Sequence, residues 1–137
     1  MRAPEELLAK PYLRPVYDEP EFIVRNLWRL YGGWYDGDPS RLKPAPARQL
    51  ASELAAMAGG PERLASRARE LAEEGELRLA GHLAELAAQA DPGLDAAQEA
   101  RAEVNERRTA AEASTMARGV FSWAAAESRR ALDGDAG

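Results

Sequence analysis

Two of the three tryptophans, all four tyrosines and one of the two phenylalanines of this 137-residue chain fall between Tyr12 and Pro46. The remainder is rich in alanine, leucine, arginine and glutamate. Aromatic side chains carry large apolar area and are enriched at interfaces. A chain that gathers them near one end must bring a surface to that end to cover them.

The middle of this stretch reads as a helix. Pro20 suits its first turn, Asp18 or Glu19 caps or charges its N-terminus, and Gly32 and Gly33 mark its end. At roughly 100° per residue, Ile23, Val24, Leu27, Trp28, Leu30, Tyr31, Trp34 and Tyr35 spread over an arc of about 160°. Arg25, Asn26 and Arg29 lie opposite. One supporting surface calls for a narrower stripe, so the width predicts contact with two surfaces. A domain this small supplies one, and the second is expected from another chain or a further domain. A helix that anchors its own domain also carries a wide apolar face, and on the residues alone that alternative stays open.

Before the aromatic helix, residues 4–10 predict a short helix with Glu5 and Glu6 in its first turn, stopped by Pro11. Residues 11–20 hold three prolines and read as an extended arm, able to wrap a neighbour or to strap its own domain. After it, Asp36–Pro46 reads as a turn-rich linker. Its Asp-Gly-Asp lacks the other ligand positions and the closing glutamate of a calcium loop, and turn chemistry accounts for it.

From Ala45 the pattern is helical throughout. Leu50, Leu54 and Met57 form one stripe, ended by Gly59-Gly60, with Pro61 opening the next helix. Leu64, Ala68, Leu71 and Ala72 form the face of that helix, which Gly75 closes. Leu79, Leu83, Leu86 and Ala90, with Ala80, Ala84 and Ala87 beside them, form the face of the next. Small residues at Ala68, Ala80 and Ala87 and the proline at Pro92 fit the tetratricopeptide plan of two antiparallel helices. A second repeat is weakly signalled, because 34 residues on, Leu71 maps to Asn105 and Ala80 to Ser114. Helices are still predicted from Leu94 to Arg108 and around Ala113, Met116, Ala117, Val120, Phe121 and Ala124, with a frayed tail from Asp133 to Gly137. The sum is an all-α fold of about six helices: an N-terminal arm and aromatic helix over 1–45, and a tetratricopeptide-like helical body over 46–137.

Chemistry is sparse. The chain has no cysteine, which excludes disulfides and cysteine-based metal or catalytic sites. Its one histidine, His82, falls mid-helix and reads as structural, and Glu73, Glu74 and Glu76 read as solvated charges at a helix end. A net charge of −5 without a basic run argues against nucleic acid as a partner. No apolar run reaches the roughly 18 residues of a membrane span, and Met1–Pro4 lead into charged residues rather than a secretory core. A cytoplasmic location is the default expectation, although a parent protein could be exported.

The run YLRPVYDEPEFIVRNLWRLYGGWYDGDPSRLKP, above all the segment from Trp34 to Pro44, resembles the opening of the dimerisation region of alkyl sulfatases with a metallo-β-lactamase fold. The likeness continues through Gly59-Gly60 and the helix pair around Gly75. It implies a homodimer, and together with the wide apolar arc it places Phe22, Ile23, Leu27, Trp28, Leu30, Tyr31, Trp34 and Tyr35 at the expected interface. It also implies that Tyr17 stands near the substrate entrance of the parent enzyme; packing of Tyr17 against its own domain is the alternative. The zinc ligands of such enzymes sit in an upstream domain with an H-x-H-x-D-H motif, which this chain lacks, as it lacks the sterol-carrier-like domain that follows. The chain alone is therefore expected to be a middle domain with no metal, no cofactor and no catalytic residue of its own. A tetratricopeptide-like adaptor that binds a peptide is the competing reading, disfavoured by the single clear repeat.

Overall fold

Prolines and glycines set the boundaries of the helices. In the computed structural model, which describes residues 4–134, Pro20, Pro39 and Pro61 each sit in the first turn of a helix. Their missing N–H and fixed φ cost nothing there. The order is α1 (Glu5–Leu8), a 3-10 turn (Pro11–Leu13), α2 (Pro20–Gly32), α3 (Pro39–Leu42), α4 (Ala47–Ala58), α5 (Pro61–Glu73), α6 (Leu77–Ala90), α7 (Asp95–Ala111) and α8 (Thr115–Leu132). Among the described residues the fold is all-α, with eight α-helices where about six were expected. The readings made for Met1–Ala3 and for residues 135–137 lie outside the described residues.

The additional elements are short. The linker after α2 contains α3, because the Asp38 carboxylate accepts hydrogen bonds from the Ser40 backbone N–H at 2.9 Å and the Ser40 hydroxyl at 2.7 Å. This is an N-cap on a four-residue turn of helix. Between Lys10 and Arg14 the chain winds into one 3-10 turn before extending.

Helices α4 to α8 form the body. Gly59, at φ 93° and ψ 22°, closes α4 in the left-handed conformation that only glycine adopts without strain. Gly75, at φ 87°, serves the tight reversal from α5 into α6. Helix α5 packs against α6 and α7, α4 against α5 and α6, and α7 against α6 and α8. Two successive hairpins, α5–α6 and α7–α8, therefore follow α4.

The interior is built mainly of alanine. Ala55, Leu64, Ala65, Ala87, Ala97 and Ala100 form one buried cluster, and Ala68, Leu71, Ala72, Ala80, Ala84 and Val104 form another. The packing differs from the leucine stripes in the sequence. In α4 the buried residues are Ala51 and Ala55, whereas Leu50 and Met57 face outward. In α6 the buried residues are Ala80, Gly81, Ala84, Ala87 and Ala88, while Leu79 is exposed and Leu83 and Leu86 are half-buried. Small side chains let helix axes approach closely, and each buried residue then removes little apolar area from water.

The second hairpin forms despite its two polar substitutions, and both are buried and satisfied. Asn105 donates from Nδ2 to the Arg101 carbonyl at 2.9 Å. Ser114 caps α8 by accepting from the Ala117 N–H and donates its own hydroxyl to the Tyr17 carbonyl at 2.8 Å. Arg101, whose side chain is 12% exposed, ties this hairpin to α6. It donates to Glu85 at 2.8 Å, to Glu127 at 2.7 Å and to the Ser128 hydroxyl at 3.0 Å.

Candidate functional site

The N-terminal arm is fastened to the body first at the start of α8. The first turn of a helix has backbone N–H groups with no partner inside the helix. In α8 they are met by the arm: the Thr115 N–H donates to the Val16 carbonyl at 2.8 Å and the Met116 N–H to the Tyr17 carbonyl at 3.2 Å. The Thr115 hydroxyl adds a bond to Val16 at 2.9 Å. Pro15 and Pro20 bracket this segment, which was expected to be extended but bends at Val16 and Tyr17, where both carbonyls meet the start of α8.

Beyond the bracket the first turn of α2 still touches the body. Arg78 of α6 donates to the Glu21 carboxylate at 2.9 Å, and Arg25 does so at 2.8 Å. These residues open a cleft of about 320 Å³ lined also by Glu19, Phe22, His82 and Phe121. Burial, and after it the neighbouring Glu112 and Glu21 carboxylates, push the Glu19 carboxyl above its ordinary value. The hydrogen bond from Arg78 holds Glu21 below its own. Deeper in, the Arg108 guanidinium lies 3.8 Å from the centre of the Phe121 ring, over the space a side chain at Gly81 would fill. Burial lowers its affinity for a proton, which the nearby Glu112 and Glu85 carboxylates partly offset.

After this first turn α2 has no support. No other helix comes alongside it, and none of its thirteen residues is buried. Trp28 is 67% exposed, Tyr31 83% and Trp34 66%, and Ile23, Val24, Leu27, Leu30 and Tyr35 are also exposed. Trp34 and Tyr35 meet edge to face with ring centres 5.9 Å apart. Of the eight residues assigned to this surface by sequence, seven are exposed, Trp34 and Tyr35 lying just beyond the end of α2. Phe22 differs, because it is half-buried and turned into the cleft beside its own body. Tyr17 uses its backbone to hold α8, and its side chain is 71% exposed.

Sequence reasoning missed a further surface. Met116, Val120 and Trp123 of α8 are exposed, as are Leu50 and Met57 of α4 and Leu79 of α6. The spacing of Met116, Val120 and Trp123 was visible, but it reads equally well as a core face.

A solvated His82 is the sole histidine, and among the described residues no three His, Asp or Glu side chains converge to hold a metal. No described helix is long and apolar enough to cross a membrane.

The chain is similar to alkylsulfatases in sequence and structure. It is 30% identical over 125 residues to a linear primary-alkylsulfatase of a Pseudomonas species, covering 91% of this chain and 24% of that protein. It is 29% identical over 106 residues to an (R)-specific secondary-alkylsulfatase of Pseudomonas, covering 77% of this chain and 16% of that protein. The solved structure of a double mutant of the sec-alkyl sulfatase PisA1 superimposes with a TM-score of 0.85 at 27% identity, over 95% of this chain and 20% of that one. The chain thus spans a quarter or less of these relatives. A family model described as alkyl sulfatase dimerisation matches residues 1–131, and by that match the chain belongs to the alkyl sulfatase dimerisation family.

Proposed function

We propose that this chain joins two copies of itself through the open face of α2, with Leu27 and Trp28 as the anchors. The observation that carries the reading is a thirteen-residue helix with no buried residue and no helix beside it in its own chain. Exposed apolar patches beyond a few hundred Å² are uncommon on monomers and mark partner sites. Homodimers close with two-fold symmetry, so the same patch faces itself across the axis or meets its counterpart's body. On this reading residues 1–45 are the joining arm and residues 46–137 the scaffold that holds it. The family match and the bare aromatic helix both favour this over a peptide-binding adaptor.

Light scattering at micromolar concentration should give twice the chain mass for the native sequence. Leu27→Asp would bury a carboxylate among aromatic rings at a cost of roughly 3 kcal/mol or more, about a hundredfold in association. It should yield a monomer or an aggregate. A native chain that stays monomeric at high micromolar concentration overturns the reading.

In a full-length protein the natural setting would be a zinc-dependent alkyl sulfatase with a metallo-β-lactamase fold, cleaving a sulfate ester to an alcohol and sulfate. The zinc would be held by residues outside this chain. The exposed Tyr17 side chain, on a segment whose backbone is fixed, is free to face such a domain. Tyr17→Phe in the full-length protein should then reduce metal-dependent sulfate release and leave the dimer intact. An unchanged rate and Michaelis constant would make Tyr17 a surface residue only.

A further inference from the structure

Resting on that reading, we propose that the aromatic face of α2 from one copy lands on the outer stripe of α8 of the other, Met116, Val120 and Trp123. The partner surface is thus the body of a second copy, and each copy both gives and receives an arm.

The first argument is area. A helix of thirteen residues is about 20 Å long and presents on one face roughly 400 Å² of accessible surface, so two α2 helices laid together hide only about 800 Å². A stable interface hides about 1,600 Å². Contact of α2 with α2 alone reaches half of that. The apolar arc of α2 is also too wide to be covered from one side, and its own body covers none of it beyond the first turn.

The second argument is where the body's uncovered apolar side chains lie. Every large exposed hydrophobic residue of the described body is on α4, α6 or α8, and none is on α5 or α7. Helix α5 instead carries ion pairs, Arg67 with Glu70 and Glu74, and Arg69 with Glu99 and Glu103 of α7. That side suits water. On α8, Met116, Val120 and Trp123 follow one another at helical spacing within an arc of about 60°, and Trp123 is the exposed aromatic of the body.

Continuity selects α8 over α4. The chain's own arm is hydrogen-bonded to the first turn of α8 through Val16 and Tyr17, whose side chains are exposed there beside Met116. The root of one arm and the start of the α8 stripe form one surface. Around a two-fold axis, an arm that leaves one copy at this corner meets the matching corner of the other. Two arms crossing in this way double the α2 contribution, which brings the buried area to the standard size.

The absence of cysteine allows a direct test. A tagged chain carrying Tyr31→Cys is mixed with an untagged chain carrying Val120→Cys or, as a control, Ser66→Cys on α5, and each pair is treated with a short bismaleimide. The tagged–untagged product should dominate with Val120→Cys and be lost with Ser66→Cys. In parallel, native chain should scatter as a dimer. The double change Val120→Asp with Trp123→Asp should scatter as a monomer while keeping the thermal transition of the body. If the native dimer forms but Tyr31→Cys links only to itself, or if the double aspartate variant stays dimeric, the landing on α8 is overturned and homodimerisation stands. A native monomer removes both.

Discussion

The residues that hold this body together are small or charged, and each class acts for a different reason. Alanine at Ala68, Ala80 and Ala84 lets helices approach closely but removes little apolar area from water. The specific fastening comes from polar side chains that reach across helices. Arg101 is the clearest: from α7 it contacts Glu85 on α6 and Glu127, Ser128 and the Ala124 carbonyl on α8. Its net proton affinity is raised: burial works against the charge, but the hydrogen bonds to Glu85 and Glu127 outweigh it. Arg101→Ala would leave the buried Ser128 hydroxyl without its donor, while Glu85 and Glu127, 37% and 44% exposed, can turn to water, so the loss should be about 1–2 kcal/mol. Chemical denaturation should show that loss, with Arg101→Lys recovering only part of it, since an ammonium cannot reproduce the fork. A loss under about 1 kcal/mol would place Arg101 with ordinary surface ion pairs.

At the scale of elements, helix positions were legible in the sequence and helix faces were not. Pro20, Gly32-Gly33, Gly59-Gly60, Pro61 and Gly75 act locally, through proline's fixed φ and glycine's access to positive φ, so the ends of α2, α4 and α5 fall where they were expected. The faces depend on what packs opposite. In α4 the leucine stripe and the alanine stripe lie side by side, and periodicity marks both. The alanine stripe turns inward at Ala51 and Ala55, leaving Leu50 and Met57 outside and Leu54 half-buried. The second hairpin was weakly signalled for a related reason. Asn105 and Ser114 break the apolar pattern, yet each is buried with its hydrogen bonds made, and Ser114 belongs to the clasp on the arm. The open aromatic face of α2 was legible because it is too wide for one surface, whatever the body does. The α8 stripe was not, since three exposed apolar residues at helical spacing look the same in sequence as three buried ones.

The whole molecule therefore has two parts with unequal support. The body, α4 to α8, carries its own buried clusters and ion pairs. The arm is held at Val16, Tyr17 and Glu21, and α2 extends beyond that clasp with nothing packed against it. An isolated helix shorter than about 12–15 residues is marginal in water, because nucleation fixes several residues for one hydrogen bond. At thirteen residues, α2 lies at that limit, and on the proposed reading a partner would sustain it. Dissociation should then melt α2 while the body stays folded. On dilution through the dissociation constant, the far-UV helical signal should fall by about a seventh, the share of the helical residues that α2 represents, in step with the halving of mass by light scattering. The thermal transition of the body should remain, and the Leu27→Asp monomer should show the reduced signal at every concentration. Constant helicity across the dilution would mean that α2 is stable alone, and the arm would then be a preformed lever rather than a segment ordered by its partner.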